Sequence, residues 1–247
     1  LTDANGNNAL TITLTGTSAD AADLNTVAAI TSVVVDATAV TTITGTADAI
    51  VNVAQSAGIM TAADYAATVN AGTTTVAQAL ILDTETTGAI TADITEGDLA
   101  TLTTLTDANG NNALTITVTN PSADAADLNT VATITSVAVD ATAVTTIAGS
   151  AATIITASQN SGITTAASYA ATVTDADGIS IAATALTTLG ASTTGTVSVS
   201  NAVEISGSVS EITAALITDA TKVVLAGSAN VTANDVDGAS DLSGIDP

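Results

Sequence analysis

The sequence predicts a mainly β protein: a right-handed parallel β-solenoid with short helices at its corners, built from a tandem 104-residue repeat. Three observations carry that expectation. Residues Leu1 to Val69 return at Leu105 to Val173 without a gap and roughly three-quarters identical, and Leu1 to Leu10 matches Leu105 to Leu114 letter for letter; tandem copies of this kind build arrays in which each unit packs on its neighbours. The 247 residues are 47% hydrophobic but only 1% aromatic, with no Phe, Trp or Cys. Aromatic side chains bury far more area than Ala or Val, so this composition fills only a thin interior. The apolar period also alternates between two and about 3.6 along the chain, the signature of strand, corner, short helix and strand.

The elements follow in order from local signals. Thr42-Ile43-Thr44-Gly45-Thr46-Ala47, Thr146-Ile147-Ala148-Gly149-Ser150-Ala151, Glu204-Ile205-Ser206-Gly207-Ser208-Val209 and Val224-Leu225-Ala226-Gly227-Ser228-Ala229 share one grammar, with Ile12 to Thr17 a looser copy. An apolar strand end meets glycine, and the next hydroxyl offers a helix its N-cap. Ser208 and Glu211 have capping-box spacing. Helices are expected behind these corners, at Ile50, Val53, Ala54 and Ala57, at Leu24, Val27 and Ala28 behind Asp20, and at Ile212, Ala215 and Leu216. Strands are expected at 11–15, 32–36, 79–83, 115–119, 136–140, 196–200 and 222–226. Parallel strands joined by crossovers take the right-handed connection. The expected organisation is a first repeat over 1–104, a second repeat with divergent rungs over 105–233 and a terminal tail or cap over 234–247, all in one continuous solenoid.

Charge narrows the partners. The net charge is −23, from 24 carboxylates against the single cation Lys222. Ion pairs cannot organise such a surface, so its self-repulsion is relieved by bound or diffuse cations. Nucleic acid and anionic lipid are poor partners. No stretch approaches the roughly 20 apolar residues of a membrane helix, and Ala79-Leu80-Ile81-Leu82 stops at Asp83. Without Cys or Arg, and with one Lys, the composition fits an extracellular bacterial protein. The chain starts at Leu1 with Met60 its only methionine, which reads as a mature, processed or partial product.

Candidate metal ligands lie in acidic, glycine-containing loops. Asp3, Asn5 and Asn7 around Gly6, and the copies Asp107, Asn109 and Asn111 around Gly110, put oxygens on alternate residues, as calcium requires. The competing reading is a tight Asn-Gly turn in a hairpin. Asp175 and Asp177 before Gly178, and Asp235, Asp237 and Asp241 around Gly238, are richer in acid. Calcium is therefore the expected ion. Thr11, Thr13 and Thr15, with Thr115, Thr117 and Thr119, project to one strand face; such rows bind ice or serve as outward β-formers. Tyr65 and Tyr169 occupy equivalent places as buried spacers against Val69 and Val173. Without His, Cys or Arg there is no conventional triad, thiol nucleophile or phosphate clamp, so no enzyme is expected.

Phrases such as Ala22-Asp23-Leu24-Asn25-Thr26 and Val40-Thr41-Thr42-Ile43-Thr44-Gly45-Thr46-Ala47 resemble the Thr- and Ala-rich repeats of large secreted bacterial surface proteins. These include S-layer proteins and RTX-type adhesins of cyanobacteria and proteobacteria. The resemblance implies a calcium-binding solenoid that forms sheets, sheaths or filaments outside the cell. The Gly-Gly-x-Gly-x-Asp nonapeptide of the calcium roll is absent from this sequence. The expected function is a structural building block of an extracellular assembly (S-layer, sheath, filament or adhesin stalk) that associates with copies of itself through repeat ends and edges. The alternatives are an ice- or polysaccharide-binding adhesin module, with cell-surface polysaccharide as partner, and a carbohydrate-active β-helix enzyme.

Overall fold

The computed structural model describes residues 8–217 and 222–235, which form two compact units. Of these residues, the first unit comprises 8–117 with Val131–Val139, and the second Val118–Thr130 with 140–217 and 222–235. The first unit contains, in order, β1 (Ser18–Asp20), α1 (Ala21–Ala28), β2 (Val35–Ala37), β3 (Thr42–Thr46), α2 (Ala47–Ala54), β4 (Ile59–Thr61), β5 (Ala66–Ala71), α3 (Val76–Glu85), β6 (Ile90–Asp93), α4 (Leu99–Leu102) and β7 (Ala113–Thr115). Its main sheet is parallel in the order β1-β3-β5-β6-β7, and β2 pairs with β4 separately.

Next come β8 (Ser122–Asp124), α5 (Ala125–Val131), β9 (Val139–Ala141), β10 (Thr146–Gly149), α6 (Ala151–Gln159), β11 (Ile163–Thr165), β12 (Ala170–Val173), β13 (Ser180–Ala182), α7 (Ala183–Ser192), β14 (Val197–Val199), β15 (Glu204–Gly207), α8 (Val209–Leu216), β16 (Val223–Leu225) and β17 (Asn230–Ala233). The second unit has parallel sheets in the orders β16-β14-β12-β10-β8 and β13-β15-β17.

The expected mainly β solenoid is corrected by this architecture. The described residues are roughly 29% helix and 28% strand, an alternating α/β arrangement with parallel sheets and no closed solenoid detected. The helices are more than corners: α1 packs on α2 and α2 on α3 in the first unit, and α6, α7 and α8 pack in series in the second. Part of the error lies at 79–83, expected as a strand and found inside α3. Thr75 and Gln78 form a capping box that starts this helix, and the Ala- and Leu-rich run behind it has high helix propensity and no strand alternation. The strands expected at 196–200 and 222–226 are present as β14 and β16, whereas 11–15 holds only a bridge from Thr13 to Asp36.

The interior explains how so few aromatics suffice. Ala19, Ile43, Ala67 and Ile90 are register partners across the first sheet, and Ala123, Ile147, Ala171, Val197 and Val223 across the second. Alanine alternates with a branched residue over most of each row, so large and small side chains interdigitate in a thin core. Tyr65 and Tyr169 are fully buried in it.

Local chemistry positions the strand-to-helix corners. Thr46, Ser150 and Ser208 are N-caps whose hydroxyls accept from the backbone N–H of Ala49, Thr153 and Glu211. Gly45 and Gly149 precede two of them at φ +146° and +153°, and a Cβ there would lie 3.3 and 3.2 Å from the Cβ of Ala21 and Ala125. Both a left-handed backbone and contact with the neighbouring helix start therefore require glycine.

Threonine has a second structural use. The backbone N–H and hydroxyl of Thr41 both donate to the Thr17 carbonyl, at 2.9 and 3.1 Å. Thr145 does the same to Pro121, Ser32 to Asn8 and Ser136 to Asn112. Each pair of donors satisfies a carbonyl 24 residues upstream, so hydroxyl side chains tie the loop of one strand–helix unit to the loop of the next.

Candidate functional site

The loop Asp107 to Asn112 joins α4 to β7, so the hairpin reading of its Asn-Gly pair does not apply: a helix, capped by Asp98, precedes it. Gly110 takes φ +70°. The Asp107 carboxylate closes the loop, with one oxygen accepting from the Asn111 N–H at 3.1 Å and the other from the Asn112 N–H at 3.2 Å. Asn111 donates from Nδ2 to the Thr87 carbonyl. Asn109 lies on the rim of a shallow hollow of about 680 Å³ that Asp83, Thr84, Thr87 and Thr106 also line.

Asp83 is the residue that sequence reasoning missed. It is 8% exposed, on α3, and one of its oxygens accepts the Thr106 hydroxyl at 2.6 Å. The Ala108 N–H lies 3.3 Å from both its oxygens, and Asn112 donates to it from Nδ2 at 3.2 Å. The buried Asn112 in turn accepts the Ile90 N–H at 3.2 Å. These contacts anchor the loop to α3 and β6. The only signal in the sequence was an acid closing an apolar run.

The remaining acidic loops cap helices. Asp175 accepts the N–H of Ala151, the first residue of α6, at 2.7 Å, and Asp235 accepts the N–H of Val209, the first residue of α8, at 2.8 Å. Glu96 does the same for Val76 at the start of α3. Asp177 accepts the Ala202 N–H at 2.8 Å while the Gly178 N–H donates back to the Ala202 carbonyl. In a chain with one Lys and no Arg, the positive ends of helices thus take the place of cationic side chains. Among the described residues no group of three acids converges as a metal site. Asp3, Asn5, Asn7, Asp237 and Asp241 lie outside the described residues.

Of two sets of equivalent residues, one behaves alike in both copies and one differs. Thr38 and Thr142 donate both hydroxyl and N–H to Asp36 and Asp140, which holds these carboxyls below their usual range. The Tyr169 hydroxyl meets Ser192 Oγ at 2.6 Å, whereas the buried Tyr65 hydroxyl has no partner. Burial, with Glu85 nearby, pushes Tyr65 up to about 12.

Exposure separates the two copies most sharply at residues 10–12 and 114–116. Leu10 is 36% exposed, whereas Leu114, in the identical sequence context, is 1% exposed beside Ala92 of β6. Ile12 is half-buried while Ile116 is fully buried. The threonines 11, 13 and 15 face outward, but the next outward positions across the strands are Asp36 and Met60 rather than further threonines. No described helix is long and apolar enough to cross a membrane. Compared with protein-family models, curated proteins and solved structures, the chain matches none.

Proposed function

We propose that this chain is a structural building block of an extracellular bacterial assembly, of the S-layer, sheath, filament or stalk kind, and that it works by joining copies of itself. The observation that supports this is the tandem repetition: one 13-residue stretch occurs twice, and at its second occurrence it packs in parallel on β6 as one unit of an array. The carboxylates seen at helix starts have structural partners, which favours a scaffold over a catalyst. Location outside the cell rests on the composition and on the resemblance to secreted surface repeats.

Assembly has to overcome a charge of −23 on each copy. Counter-ions, calcium among them, supply the screening and bridge acids between molecules. Sedimentation of the purified chain at rising concentration, with calcium, followed by negative-stain imaging, tests the proposal. Concentration-dependent oligomers or ordered polymers are expected. A monomer throughout refutes it.

A further inference from the structure

Every polar side chain of the loop from Asp107 to Asn112 holds part of the fold except Asn109. The Asp107 carboxylate closes the loop, Asn111 donates from Nδ2 to the Thr87 carbonyl at 3.1 Å, and Asn112 is 1% exposed and donates to Asp83. The Asn109 side chain is exposed on the rim of the hollow and makes no hydrogen bond among the described residues.

The next residue decides what that freedom does. Among the described residues Asn109 is the one asparagine followed by glycine; the others precede residues that carry a Cβ. Gly110 takes φ +70°, and no described atom lies within 4 Å of the place a Cβ would occupy. Its N–H meets the Asp107 carbonyl at 3.4 Å, beyond the usual range for such a bond. A main-chain nitrogen without steric cover, and only loosely held, therefore stands next to an unrestrained side-chain amide.

We propose that Asn109-Gly110 is a self-modifying site, at which asparagine converts to aspartate and isoaspartate without an enzyme. The inference does not depend on self-association. The Gly110 nitrogen gives up its proton and bonds to Asn109 Cγ, the Cγ–Nδ2 bond breaks, and ammonia leaves with that proton. Water then opens the succinimide. Attack at Cγ breaks the new bond and gives aspartate, whereas attack at the main-chain carbonyl breaks the original peptide bond and gives isoaspartate. The net change is uptake of water and release of ammonia, with nothing oxidised or reduced.

Isoaspartate matters most for the fold, because its main chain runs through the former side chain and is a methylene longer. The insertion falls between Asp107 and the two N–H groups its carboxylate holds, those of Asn111 at 3.1 Å and Asn112 at 3.2 Å. These bonds lengthen, and the entry to β7 loosens. Either product also places a new negative charge on a rim that Asp83 and Asp107 already line.

The test ages the full-length protein in mildly alkaline buffer made with oxygen-18 water and maps the peptides by mass spectrometry. Peptides that extend upstream of Leu105 separate this site from the identical stretch at 1–10. Asn109 is expected to gain a labelled carboxylate at least about tenfold faster than Asn111 or Asn112, whose successors carry a Cβ. Asn109→Gln, altered at an exposed position, should lose the conversion. Hydrogen exchange at the Asn111 and Asn112 amides should quicken in the aged protein and stay unchanged in aged Asn109→Gln. Labelling at Asn109 no faster than at its two neighbours overturns the proposal. Labelling that leaves those amides protected overturns the loosening of β7.

Discussion

Replacing Asp175 by Ala separates the two roles that an acidic loop can have. In the structure its carboxylate accepts the N–H of Ala151 at 2.7 Å, at the positive end of α6. Losing a cap of this type costs about 1 kcal/mol, and losing a charge at a helix N-terminus adds about 0.5 kcal/mol at a partly exposed site. A total of about 1.5 kcal/mol corresponds to a fall in Tm of roughly 3–6 °C for a chain of this size. Asp175→Asn keeps an acceptor and loses only the charge, so it should recover most of the difference. Hydrogen exchange at the Ala151 amide localises the effect and avoids assuming that both compact units unfold together. An Asp175→Ala protein with unchanged melting and exchange, but no response to calcium, would refute the capping argument and identify Asp175 as an ion ligand.

Four further outcomes can be checked. Tyr169→Phe breaks the bond to Ser192 and should cost about 1 kcal/mol, while Tyr65→Phe removes a buried hydroxyl without a partner and should be neutral or stabilising in denaturant titrations. Tyr65 is raised to about 12 in the folded chain, so its unfolded form ionises first and stability falls as pH climbs from about 10 through 12; that part of the decline should vanish in Tyr65→Phe. Asp36 and Asp140 are lowered, so their contribution is complete above the ordinary carboxylate range and is lost as pH falls through their folded values, and Thr38→Val with Thr142→Val should flatten the acid limb of a stability profile. Calcium should raise Tm more than sodium at equal ionic strength if it bridges acids; equal curves would leave only diffuse screening.

Much of the fold was legible because it is written in windows of about four residues. A hydroxyl after glycine starts α2, α6 and α8, Asp20 caps α1, and Ser208 and Glu211 form their box, since a cap depends on one side chain and the N–H groups just beyond it. The burial of both tyrosines was equally readable. One failure was just as local: the run at 79–83 is apolar enough for strand or helix, and the capping box of Thr75 and Gln78 sets it as helix. Other features were decided at longer range. That Asp175 and Asp235 accept the first N–H of α6 and α8 was not legible, because those helix starts lie 24 and 26 residues away. The sharpest case is Leu10 and Leu114, which sit in thirteen identical residues and differ in exposure from 36% to 1%. Sequence alone determined that the two stretches are copies; only the presence of β6 beside Leu114, a matter of tertiary packing, covers it.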